Sequence, residues 1–181
     1  MKATGVVRRI DNLGRIVIPK EIRRTLRIRE GDPLEIYTSH EGDVILRKYS
    51  PIGELSTFAQ AYADSISSLL GKTTVVCDRD QIIAAAGGEK KNLKGKEIDK
   101  EMEELIEDRR NQVAHSGDPD FIPVAEGLIP FYAQAAATII CEGDAIGAVV
   151  ILDQEEDSHL GENELKMATV AADFLGRQME G

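Results

Sequence analysis

MKATGVVRRIDNLGRIVIPKEIRRTLRIR, residues 1–29, sets how the rest of the chain is read. It carries nine Lys and Arg (Lys2, Arg8, Arg9, Arg15, Lys20, Arg23, Arg24, Arg27, Arg29) against Asp11 and Glu21. That is a local charge of +7 in a chain whose net charge is −10. A run of charge is more often a solvated face than a site. Here the basic groups alternate with Val6, Val7, Ile10, Ile16, Val17 and Ile18, the pattern of short strands. A basic surface carried on strands within an acidic protein points to an anionic partner, and the phosphate backbone is the usual one.

Working outward, residues 4–10 read as a strand, and DNLG (11–14) as a turn in which Gly14 is free to take positive φ. Residues 15–18 read as a second strand with Ile16 and Ile18 on one face. Pro19 suits the first turn of a helix, where its missing N–H costs nothing. Ile22 and Leu26 share one face of that helix, while Arg23, Arg24 and Arg27 point elsewhere; REGD (29–32) ends it. LEIYTS (34–39) and VILRK (44–48) flank the turn HEGD as a hairpin. The unit is thus β-β-α-β-β in about 50 residues, too short to bury much core. It lacks cysteine and metal-ligand patterns, so association with a second copy is the expected source of stability.

The run GVVRRIDNLGRIVIPKEIRRTLRIREGDPLEIY, continued by VILRKYSP, resembles the AbrB-type transition-state regulator domain over nearly all of residues 1–51. The resemblance implies a homodimer in which two chains interleave as a swapped-hairpin β-barrel that binds double-stranded DNA. It places the DNA contacts on Arg8, Arg15, Arg23 and Arg24, with Arg9 and Lys20 as basic neighbours. Guanidinium groups suit that role, because they fork onto phosphate and onto guanine edges.

Residues 51–181 differ in character, with 11 basic and 25 acidic groups, net −14. Such asymmetry marks a second module with a different partner. Leu55, Phe58, Tyr62, Ile66 and Leu69 recur at helical spacing over 52–70, with Gly71 as the stop. This helix packs either on its own sheet or on the same helix of another subunit. Strands follow at 72–78 and 82–86, then a polar loop, a helix over 97–113, a short strand at 121–125 and a strand at 133–141. EGDAIG (142–147) turns the chain into the buried strand AVVILD. Residues 161–180 close with a helix in which Leu165, Ala168, Ala172, Leu175 and Met179 form a seam and Met167, Ala171 and Phe174 a neighbouring stripe. A helix apolar on two faces has two surfaces to cover. Leu55, Phe58, Tyr62, Leu165, Ala172, Leu175 and Met179 are therefore the candidate oligomerisation residues.

This order of elements, with EGDAIGAVVILD, resembles a GAF domain: an antiparallel sheet flanked by helices. The expected fold class is two-domain, β-rich plus α+β. The domains are 1–51 for DNA binding, 52–70 as a linking helix that starts the C-terminal domain, and 71–181 as a GAF-like sensor or oligomerisation domain. An AbrB-type module ahead of a GAF-like one resembles a family of sporulation regulators in spore-forming Firmicutes. It implies a transcriptional activator or repressor of sporulation (forespore) genes, assembled as a homotetramer.

Chemistry in the second module is sparse. Val75, Ile83, Ile139 and Val149, with the loops at 87–97 and 114–132, would line a small-molecule pocket or simply form a core. His40, His115 and His159 are scattered, and no P-loop or metal signature occurs, so neither an enzyme nor a bound cofactor or metal is expected. The enzymatic alternative is a GAF-fold thiol redox site using Cys77 and Cys141 on adjacent strands, against which stands the ordinary buried thiol. An antitoxin-type interaction module is the other alternative. No apolar run approaches the roughly 18 residues of a membrane span, so the expected location is the bacterial cytoplasm, at the nucleoid.

Overall fold

The computed structural model describes residues 5–88, 90–128 and 130–180. The chain divides into two compact units, Met1–Tyr49 and Ser50–Gly181.

In the first unit, Asp11–Arg15 forms a turn closed by Asp11 N–H donating to Arg15 C=O at 3.1 Å. Helix α1 (Lys20–Thr25) follows, with Pro19 at its N-cap. Strands β1 (Leu34–Thr38) and β2 (Val44–Lys48) pair antiparallel from Leu34↔Lys48 to Thr38↔Val44. Lys48 ties the hairpin to the end of α1, donating to Arg27 C=O at 2.8 Å and pairing with Asp32 at 3.4 Å. The strands expected at 4–10 and 15–18 are not formed: described residues 5–10 and 15–18 have no ladder partner within the chain (Thr4 lies outside the described residues). A strand is defined by its neighbour, and one turn supplies only one cross-strand bond. Pro19 is the one described residue of this unit that is buried. Val7, Ile10, Leu13, Val17, Ile36 and Val44 are each two-thirds or more exposed.

The second unit is a five-stranded antiparallel sheet, order β4-β3-β7-β6-β5, layered by helices on both faces. Its strands are β3 (Thr73–Asp78), β4 (Ile82–Ala86), β5 (Gln112–His115), β6 (Ala133–Cys141) and β7 (Asp144–Asp153). β3 reads TTVVCD and is buried along its whole length, so it needs cover on both sides. Val76, Ala84, Ile139, Val149 and Ile151 face α2 (Pro51–Glu54), α3 (Ser56–Leu70) and α6 (Glu162–Arg177). Val75, Cys77, Val150 and Leu152 face α4 (Lys90–Leu93), α5 (Lys100–Glu107) and the 122–125 segment. On the first face small residues meet small residues: Ala133, Ala135 and Ala137 on β6 lie in one cluster with Ala168, Ala171 and Ala172 on α6. There Gly176 passes so close to β6 that an added Cβ would stand 2.0 Å from the Ile140 carbonyl oxygen.

Several expectations need correction. The helix at 52–70 breaks at Leu55 into α2 and α3; Ser50 caps α2, accepting from Gly53 N–H at 3.1 Å, and donates to the buried Asp78 carboxylate at 2.7 Å. Gly71 ends α3 in the left-handed region, φ 68°. The helix expected over 97–113 is shorter, Lys100–Glu107, capped by Asp99. Arg109 turns the chain at φ 55° and Gln112–His115 becomes the edge strand β5. Residues 121–125 form no strand; Ile122, Val124 and Ala125 pack into the core on the α5 side of the sheet, and Val124 C=O accepts from Asp99 N–H at 2.9 Å. A short helix, α4, stands in the stretch expected as loop.

Candidate nucleic-acid interface

The turn at Asp11 organises the basic segment. Its carboxylate accepts from Leu13 N–H and Arg15 N–H, both at 2.9 Å, and from Arg15 Nε at 2.8 Å. Gly14 at φ 74° lets the chain reverse within this span. The Arg15 backbone bond first, and then its guanidinium, hold the Asp11 carboxyl below its ordinary value. Arg15 is thus anchored at Nε while its side chain stays 70% exposed. An arginine fixed in this way has given up part of its rotamer freedom before any phosphate arrives.

Arg8 and Arg9 lie on the segment leading into this turn and are exposed. Lys20, Arg23 and Arg24 fall at i, i+3 and i+4 on α1, which places them on neighbouring rows of one helix side. Lys20 and Arg24 are exposed and Arg23 half-buried. Leu26, Ile16 and Val17 are more than half exposed among these groups, so the cationic segment is also an uncovered apolar one. Sequence reasoning misses Asp11 as a site residue; its signal is an Asp-x-x-Gly-Arg turn, where Asp bonds backbone two residues on.

In the second unit the candidate residues separate. Val75 belongs to the face toward α5, whereas Ile83, Ile139 and Val149 belong to the face toward α3 and α6. Strand alternation forbids a single pocket lined by all four. Of the oligomerisation candidates, Ala172 and Leu175 are buried in the unit's own core, because the seam on α6 is the side that meets the sheet. Leu165 is part of the same packing, Met179 is half-buried, and the Tyr62 ring lies 4.8 Å from that of Phe174. Phe58 is half exposed, and Leu69 and Val170 stand out at 73% and 67% exposed. Leu69, Val170, Tyr62 and Met167 border an apolar groove of about 350 Å³ between α3 and α6.

Cys77 and Cys141 are not on adjacent strands. β7 lies between them, pairing Cys77 with Ala148 and Cys141 with Asp144. Two strand spacings and four residues of offset amount to roughly 16 Å, far beyond disulfide reach. Burial, and secondarily Asp78, pushes the Cys77 thiol up to about 12. Among the described residues no three His, Cys, Asp or Glu side chains gather to hold a metal ion.

Comparison with known proteins agrees with this architecture. Residues 54–180 match the family described as stage V sporulation protein T C-terminal, transcription factor. Residues 7–54 match the family described as antidote-toxin recognition MazE, bacterial antitoxin. The chain is 51% identical to stage V sporulation protein T of Bacillus subtilis over 181 residues, 99% of each chain. It is 42% identical to the transition state regulatory protein AbrB of the same organism over 95 residues, 52% of this chain and 98% of that one. The fold of the second unit is similar to the GAF domain of an Acinetobacter phosphoenolpyruvate-protein phosphotransferase, with TM-score 0.58, 7% identity, and 69% and 81% of the two chains covered. With an AbrB-type N-terminal module followed by a GAF-fold domain, the chain belongs to the stage V sporulation protein T family of transcription factors.

Proposed function

We propose that this chain is a DNA-binding regulator of sporulation genes that reads duplex DNA as a dimer of its N-terminal modules. The observation that carries it is the coincidence of charge and uncovered apolar surface in one short segment. Residues 1–29 are +7, and Val6, Val7, Ile10, Leu13, Ile16, Val17 and Leu26 among them are left in solvent. Second copies of 5–10 and 15–18 would supply the missing ladder partners, cover those side chains and double the basic surface. Arg8, Arg15, Arg23 and Arg24 contact phosphate and base edges, with Arg9 and Lys20 supporting them. No recognition helix is needed, since a barrel surface reads edges and DNA shape.

The GAF-fold unit pairs two such dimers into a tetramer through Phe58, Tyr62, Leu69, Met167 and Val170, the apolar side chains that its own core leaves exposed or half covered. Residues 1–51 act as the reader, 52–70 as the link, and 71–181 as the assembly domain. The protein works at the nucleoid. Multivalency then raises affinity without new contacts.

The test is a salt titration of operator binding by the whole protein and by Arg15→Ala and Arg24→Ala. Removing one arginine–phosphate pairing should flatten the log–log slope by about 0.9 per subunit engaged. Salt-independent binding, or arginine variants that behave like wild type, would refute the assignment. The match of residues 7–54 to an antitoxin family favours one other reading, capture of a protein partner by the same module. It predicts that a folded protein, and not duplex DNA, protects Arg15 and Arg24 from a guanidine-modifying reagent.

A further inference from the structure

The GAF-fold unit concentrates positive charge in one place. Four of the 11 basic groups in residues 51–181 lie within seven positions, Lys90, Lys91, Lys94 and Lys96, with no acidic residue among those seven. The segment folds against a loop to leave a cavity of about 480 Å³. Its walls are Lys91, Asn92, Lys94, Gly95, Lys96, Gly127 and Leu128, three lysines with no acidic residue among them, and the Lys94 ammonium lies 3.5 Å from Gln60 Oε1 on α3, an uncharged partner.

The cavity is held by backbone bonds. Gly95 N–H donates to Ile82 C=O and Ile82 N–H to Lys96 C=O, both at 2.8 Å, which fastens the lysine segment to edge strand β4. Leu93, fully buried, anchors it from below. Lys96 Nζ bridges to the Glu126 and Gly127 carbonyls at 3.2 and 3.4 Å and joins the two walls. Gly95 and Gly127, at φ 82° and 66°, have no heavy atom within 4 Å of where a Cβ would stand. That opening lets a ligand come close to the main chain at both glycines.

We propose that this cavity is a binding site for a small polyanion, a phosphate-bearing or polycarboxylate metabolite, separate from the DNA-binding arginines. Its volume is that of a small-molecule site. Three lysines around one concavity with no acidic residue among its walls repel one another, and a ligand with two or more negative charges removes that repulsion. Duplex DNA fits less well, because the surrounding domain is net −14 and would repel a long phosphate array. The site lies outside the packed interior that Val75, Val150 and Met102 fill. It stands or falls independently of the DNA assignment.

The test is protection of individual lysines of the full chain from an amine-acylating reagent, read by peptide mass spectrometry at matched ionic strength. The probes are inorganic pyrophosphate, citrate and a 20-base-pair duplex. Pyrophosphate or citrate should slow acylation of Lys91 and Lys94 roughly tenfold, the protection expected for a charge-assisted hydrogen bond, and leave Lys72, Lys100 and Lys166 unchanged. Whichever probe acts at lower concentration identifies phosphate or carboxylate chemistry. Lys91→Gln should abolish the protection of Lys94 while Lys20 remains protected by duplex. Equal slowing at all lysines, no slowing at Lys91 and Lys94 with either small anion, or protection of those two by duplex alone would overturn the proposal.

Discussion

Replacing Gly176 by alanine sets two effects of opposite sign against each other. Gly176 is the next-to-last residue of α6, so Gly→Ala gains at most about 1 kcal/mol from propensity. At this position the new Cβ would lie 2.0 Å from the Ile140 carbonyl oxygen and 3.1 Å from its carbon. An ordinary van der Waals approach needs a little over 3 Å, so α6 and β6 would have to separate by more than an ångström. The obstacle is the Ile140 backbone on β6, not the far end of a side chain that could swing aside. Overpacking of this kind costs about 1–3 kcal/mol and sometimes more. The upper end applies here, because both colliding groups belong to regular elements. Net destabilisation of about 2 kcal/mol follows, a fall of roughly 4–8 °C in Tm for a unit of this size. Urea and thermal unfolding followed by circular dichroism measure it. Gly88→Ala, where a Cβ meets nothing within 4 Å, should stay within about 0.5 kcal/mol of wild type. A Gly176→Ala protein as stable as wild type, or more so, would show that helix and sheet are not packed backbone to backbone.

Three further outcomes are expected. Burial pushes the Asp153 carboxyl up, but Lys72 at 2.8 Å, Ser158 Oγ at 2.6 Å and Glu155 N–H outweigh it and hold the group below its ordinary value. Its stabilisation is therefore complete above the unfolded carboxylate value, about 3.9, and disappears as pH falls through the lower folded value. The Asp153 bond raises Lys72, whose contribution is lost only as pH rises above the usual lysine range. Asp153→Asn should cost about 2–3 kcal/mol at pH 7 and flatten the acid limb of urea midpoints against pH; an unchanged limb would refute the pairing. At pH 8 a maleimide should label the half-buried Cys141 before the buried Cys77, and mild oxidant should form no disulfide within the native chain, as non-reducing peptide mapping would show. Leu69→Glu with Val170→Glu should shift light-scattering mass from tetramer to dimer and leave Tm nearly unchanged, since both side chains are exposed in the single unit; an intact tetramer would exclude the α3–α6 groove.

The parts of the fold legible in the sequence are those whose partners lie in the same chain. TTVVCD and AVVILD announce strands because continuous burial on both faces requires continuous apolar residues. Gly71 announces the end of α3 because a left-handed cap favours glycine. Spacing overextends α5 because Val113 keeps helical register with Leu105 and Ile106, while the decision to stop is made by Arg109 at positive φ and by β6, which offers Gln112–His115 an edge to pair with. Spacing also fails on α6. Leu165, Ala172, Leu175 and Met179 repeat like a subunit seam, but spacing alone does not say which of two apolar stripes meets the helix's own sheet. The exposed Val170 lies on neither stripe. The basic segment is legible as charge, and Asp11 is legible only as turn chemistry.

The N-terminal module fails as a single-chain fold in an informative way. Residues 4–10 and 15–18 are as rich in β-branched residues as β1 and β2, yet among the described residues of the module only β1 and β2, joined by a short turn, pair within one chain. The exposed Val7, Ile10 and Val17, and the described residues 5–10 and 15–18 without a ladder partner, are what the second copy of the proposed dimer would satisfy. In the proposed dimer the core forms between chains, which ties folding of the module to protein concentration. Dimerisation and construction of the arginine surface are then one event, so any substitution that uncouples the apolar association, such as Val17→Asp, should abolish DNA binding without touching a single cation. Wild-type affinity for DNA in a Val17→Asp monomer, measured beside its sedimentation mass, would separate the arginines from the assembly and defeat that link.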